Sequence, residues 1–86
     1  LQSAEEDPGK AMREGRYGDA ERIYRQLLKQ SPNDARLEMN LGLALFSGKK
    51  YKEAIPVFER AAKALPAPGP VHFMAGVSRL KLQQPC

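Results

Sequence analysis

An all-α chain of stacked antiparallel helix pairs is what three observations predict. The sequence matches itself when shifted by 34 residues, apolar side chains recur at three-and-four spacing inside each copy, and proline-rich breaks separate the helical stretches. At the 34-residue shift Tyr17 falls on Tyr51, Ala20 on Ala54, Tyr24 on Phe58, Lys29 on Lys63 and Pro32 on Pro66. Asp19 pairs with Glu53 and Ile23 with Val57, and the period continues through Leu37 on Val71, Gly42 on Gly76 and Leu43 on Val77. No insertion breaks the register. Self-similarity at this length marks a repeat array, in which each supersecondary unit buries its apolar face against the next.

The elements follow in order. Asp7-Pro8 reads as an N-cap followed by proline at the first helical position, which opens a short helix over about residues 8–15. The rival start, a capping box from Ser3 to Glu6, would put Pro8-Gly9 mid-helix at a cost of roughly 4 kcal/mol. From Asp19, the residues Ala20, Ile23, Tyr24, Leu27 and Leu28 form one apolar stripe. Ser31-Pro32-Asn33-Asp34 ends that helix, and Asn33 or Asp34 can cap the next. The third helix buries Leu37, Leu41, Ala44 and Leu45, with Met39, Leu43 and Phe46 elsewhere around it. Gly48-Lys49-Lys50 makes a short turn into a fourth helix carrying Ala54, Ile55, Phe58, Ala61, Ala62 and Leu65. Pro56 lies early enough in that helix to be tolerated. Leu65-Pro66-Ala67-Pro68-Gly69-Pro70 stops it, and Val71 to Leu82 forms a fifth helix.

These residues resemble the tetratricopeptide repeat. The small residue, aromatic and proline of its second helix are Ala20, Tyr24 and Pro32, then Ala54, Phe58 and Pro66. The aromatic of the turn is Tyr17 and Tyr51, and the leucine–glycine pair of the first helix is Leu41-Gly42, degraded to Ala75-Gly76 in the last unit. The resemblance implies a right-handed superhelical solenoid of about five helices. Residues 1–7 form a loose leader, and the units are 8–34, 35–68 and a half unit, 69–86. Asp7-Pro8 departs from the leucine–glycine pattern, as atypical terminal repeats do. Gly42, Ala54 and Ala61 are expected to let backbones approach, and Phe58 to fill the wedge between one pair and the next. A sixth helix is expected to begin near Cys86, so the sequence reads as a piece of a longer stack.

Function follows from the same resemblance. The first helix of each unit lines a concave groove that takes a peptide or helix of a protein partner. The matching positions are Arg36, Met39, Asn40, Leu43, Phe46 and Ser47, then Phe73, Met74, Val77 and Lys81, with Met12 and Arg13 extending the strip. Methionines adapt to varied shapes, and contiguous apolar side chains off the buried stripe mark interaction surfaces. The competing use of the same side chains is packing between repeats. The fifth helix, with Val71, Phe73, Met74, Val77, Leu80 and Leu82, carries more apolar surface than one neighbour covers, so it is expected to pair with a second copy or with further sequence. A structural or oligomerisation role in a larger repeat protein is therefore the alternative.

Other classes are disfavoured. The clamp that grips chaperone carboxylate tails in this family is matched only at Asn40, the remaining places being Glu5, Gly9, Pro70 and Met74, none of them cationic. His72 and Cys86 lie far apart, Ser47 and Ser78 have no partner base, and one histidine with one cysteine cannot supply a zinc site, so no enzyme, cofactor, metal or small-molecule substrate is expected. The run from Gly42 to Lys50 is a poor phosphate loop, with its glycines one residue too far apart and lysine where serine or threonine should follow.

The net charge of +4 is concentrated in residues 35–86, where eight Lys/Arg face three Asp/Glu. Arg60, Lys63, Arg79 and Lys81, or Lys49, Lys50 and Lys52, could attract nucleic acid. Stacking aromatics are scarce, however, since Tyr17, Tyr24 and Phe58 match core places. No run approaches the roughly 18 apolar residues of a membrane span. The acidic start, Leu1 to Asp7, does not read as a signal peptide, and both the cytoplasm and a bacterial envelope are compatible.

Overall fold

The computed structural model describes residues 7–64 and 69–83. Five helices follow one another: α1 (Pro8–Arg13), α2 (Tyr17–Gln30), α3 (Ala35–Ser47), α4 (Tyr51–Ala64) and α5 (Gly69–Gln83). Among the described residues there is no strand. The leader up to Glu6, the break at residues 65–68 and the terminal Cys86 lie outside them, as do the side chains of residues 69–72.

Local chemistry sets each boundary. The Asp7 carboxylate accepts the Gly9 N–H at 2.9 Å and Pro8 takes the first helical position, so α1 begins as the sequence predicts. It closes two residues early, after Arg13, because Gly15 turns left-handed at φ 77°. The Arg16 N–H then donates to the Ala11 carbonyl and the Gly15 N–H to that of Met12. This paired closure is a Schellman motif. The same motif recurs 34 residues on: Lys50 N–H donates to the Leu45 carbonyl, Lys49 N–H to that of Phe46, and Lys49 sits at φ 67°. Lysine thus holds the place where α1 uses glycine. Asp34, rather than Asn33, caps α3 by accepting from the Arg36 and Leu37 N–H groups at 3.0 and 3.3 Å. Pro56 is exposed within α4 and forfeits only the hydrogen bond to the Lys52 carbonyl.

Extensive packing links helices adjacent in the chain, α1 to α2, α2 to α3, α3 to α4 and α4 to α5. The molecule is flat, 42 × 32 × 17 Å, consistent with a layer about two helix spacings deep. One continuous core runs through it from Ala11 of α1 to Ala75 of α5. Seven of its twelve members are alanine, which lets helices sit close but buries little area per residue.

The largest fully buried side chain is Phe58, and it explains Gly42. A Cβ on Gly42 would lie 2.5 Å from Phe58 Cε1 and 2.7 Å from Cδ1. The glycine therefore makes room for the ring inside the α3–α4 pair rather than for a neighbouring backbone. A Cβ on Gly76, the equivalent position of α5, would meet nothing within 4 Å. Leu27, expected in the buried stripe, is 36% exposed. The six residues of α1 span about 9 Å against about 21 Å for α2, so the far half of α2 outruns its cover.

Candidate partner-binding groove

The face of α3 opposite its fully buried residues carries the candidate groove. At about 100° per residue, Met39 and Leu43 lie about 160° and 200° around the helix from Leu41, which is 2% exposed. Leu41 and Leu45 face inward, and Met39, Leu43 and Phe46 are half-buried, packed against the rim of the core. The Asp34 cap and the closure at Lys49 fix both ends of α3 and hence the angular position of every side chain on it.

Each predicted site residue has a definite setting. Arg36 and Lys81 are exposed and make no ion pair among the described residues. Asn40 and Ser47 are half-buried beside Met39 and Leu43 on α3. Phe46 is partly engaged in packing, its ring meeting Tyr51 edge-on at a centroid distance of 5.1 Å. On α5, Phe73 is 69% exposed while Met74 and Val77 are half-buried. On α1, Met12 packs on the core and Arg13 is exposed. Met39 and Phe73 are equivalent positions of successive units, 34 residues apart. What this surface offers chemically is apolar contact flanked by cations. Among the described residues no cluster of histidine, cysteine or carboxylate could hold a metal, and no helix is long and apolar enough to cross a membrane.

The basic side chains are distributed differently from the clusters the sequence suggests. Arg60 is held by Glu38 of α3 at 3.1 Å, and Arg79 pairs with Glu59 of α4. At the start of α2, Arg16 hydrogen-bonds Asp19 at 2.8 Å and holds its carboxyl below the ordinary range, with Arg22 contributing. Burial opposes ionisation of Glu21, but the Lys50 ammonium and the Arg25 guanidinium together outweigh it and lower its pKa. Sequence reasoning missed a further feature, the cationic edge of α2. Arg22, Arg25 and Lys29 recur at three-and-four spacing, and that periodicity was the available signal.

A family model for the tetratricopeptide repeat matches residues 10–67, from within α1 to beyond α4. The chain belongs to the tetratricopeptide repeat family. No curated protein and no solved structure matches it. Tetratricopeptide repeats generally mediate protein–protein interaction and are typically non-catalytic, so a protein is the class of partner to which the family points. The helical solenoid anticipated from the 34-residue period agrees with both the family match and the five consecutive helices.

Proposed function

We propose that this tetratricopeptide repeat binds a peptide or helix of a partner protein along α3 and α5. The apolar contacts come from Met39, Leu43, Phe46, Phe73, Met74 and Val77, the polar and charged ones from Arg36, Asn40, Ser47 and Lys81. The observation that carries this reading is Phe73. A phenylalanine 69% open to water is expensive to leave uncovered, and its equivalent, Met39, stands on the same face one unit earlier. Apolar anchors one unit apart suit an amphipathic or extended segment, with the exposed cations steering its orientation.

The test compares captured partners of the wild-type chain with those of a Met39→Glu, Leu43→Glu double variant whose helicity is verified by circular dichroism. Partners retained by wild type and lost by the variant are expected. The same proteins recovered by both would refute the groove assignment.

A second reading rests on α5 itself. Phe73 and Leu80 are 69% and 61% exposed, and Gly76 faces open space where Gly42 faces Phe58. The Phe46 equivalent, Leu80, likewise has no counterpart to Tyr51 among the described residues. This face of α5 is proposed to pair with a second copy of the chain. Light scattering of a concentration series is expected to show dimers that Leu80→Glu abolishes, and a monomer at every concentration would exclude this pairing.

A further inference from the structure

A depression of about 360 Å³ opens on the side of α3 turned away from Met39 and Leu43. Its floor is apolar, formed by Leu28 and Pro32 with the edge of Leu41, and its rim carries Arg25, Lys29 and Arg60. A second depression, of about 480 Å³, adjoins it along α2 and shares Arg25 and Lys29, adding Arg22 and Lys50. Two carboxylates, Glu21 and Glu38, line the pair against these five cations, and Asp19 stands 3.6 Å from Arg22, so the strip with Asp19 carries a net +2. Both carboxylates are already engaged, Glu21 by Arg25 and Lys50 and Glu38 by Arg60. Lys29 makes no ion pair among the described residues.

From this geometry we infer that the strip between α2 and α4 is a docking surface for an acidic peptide segment that places one apolar side chain on the Leu28–Pro32–Leu41 floor. Charge complementarity selects the acidic partner, because five cations in a short span raise the local potential. The apolar floor selects a peptide over nucleic acid. No aromatic lines either depression to stack a base, and Glu21 and Glu38 would repel a phosphate backbone. The surface lies on the opposite side of α3 from the groove, so it stands or falls independently of the reading above.

The experiment is an amide chemical-shift titration of the ¹⁵N-labelled full chain. The probe is an acetylated heptapeptide of aspartate and glutamate with one central leucine. Shifts are expected at Leu28, Lys29 and Leu41, with affinity falling as salt screens the rim. Lys29→Glu, at an exposed position, should weaken binding about fivefold or more, and Lys29→Gln less so. The Met39→Glu, Leu43→Glu variant should bind the heptapeptide as wild type does. The inference is overturned by an absence of shifts at millimolar peptide, by equal binding of the same peptide with glycine at its centre, or by tighter binding of an oligouridylate to the same amides. Loss of binding in the groove variant with none in Lys29→Glu would also overturn it, placing the peptide in the groove.

Discussion

Alanine at Gly42 and alanine at Gly76 should change stability in opposite directions, although the two glycines are equivalent positions one unit apart. At Gly42 the new methyl would sit 2.5, 2.7 and 3.0 Å from three atoms of the Phe58 ring. That ring is 0% exposed. Overpacking of this kind costs about 1–3 kcal/mol, and the better helix propensity of alanine returns about 1 kcal/mol. A net loss of up to about 2 kcal/mol corresponds to a fall of as much as roughly 15 °C in Tm for a domain this size. At Gly76 there is nothing within 4 Å to strike, so only the propensity gain of about 1 kcal/mol remains. Thermal and urea unfolding followed at 222 nm would measure both. A Phe58→Leu background completes the test, because a shorter side chain should relieve the clash and shrink the Gly42→Ala penalty by about 1 kcal/mol. If Gly42→Ala proves as stable as Gly76→Ala, or its penalty is undiminished beside Leu, the ring-against-glycine account is wrong.

Three further outcomes are expected. Lys49→Gly should stabilise the chain by about 1 kcal/mol, read from urea midpoints, because a left-handed backbone at φ 67° strains a side-chain-bearing residue and leaves glycine unstrained. Ser78→Ala should change stability by less than about 1 kcal/mol: the buried hydroxyl donates only to the Met74 carbonyl one turn back, and Ala44 fills the equivalent place in α3. Asp19 and Glu21 have depressed folded-state pKa values, so their stabilisation is fully present above the ordinary carboxyl range near pH ~4 and is lost as pH falls through the lower folded values. Acid titrations of Asp19→Asn and Glu21→Gln should show a shallower acid limb than wild type, and an unchanged limb would mean these ion pairs do not couple to folding.

The fold was legible because its determinants are periodic. Apolar spacing, the Asp7 and Asp34 caps and the proline breaks act within a few residues, and the 34-residue repeat supplies the packing partner for each helix. What the sequence obscured depends on which neighbour is present. Leu27 belongs to the apolar stripe by spacing, yet the short α1 leaves it 36% exposed. Gly42 reads as a site of backbone approach, whereas its occupant is the Phe58 ring, because α4 delivers that side chain across the pair. Lys49 carries no mark of a left-handed residue, and only its alignment with Gly15 hints at one. The groove positions came from the family pattern, but their degree of exposure did not, since it reflects how far each helix is covered. The α2 cations read as ordinary surface charge until the fold sets Arg60 and Lys50 beside them.

Because extensive packing among the described residues joins only helices neighbouring in the chain, most of the ordering they need is local. Chains of that kind close small loops first and reach their final state in microseconds to milliseconds. Any α-hairpin can serve as the starting point, and growth proceeds outward by adding one helix at a time. Pulled from its two ends, such a molecule should come apart hairpin by hairpin, giving an elastic response instead of one abrupt rupture.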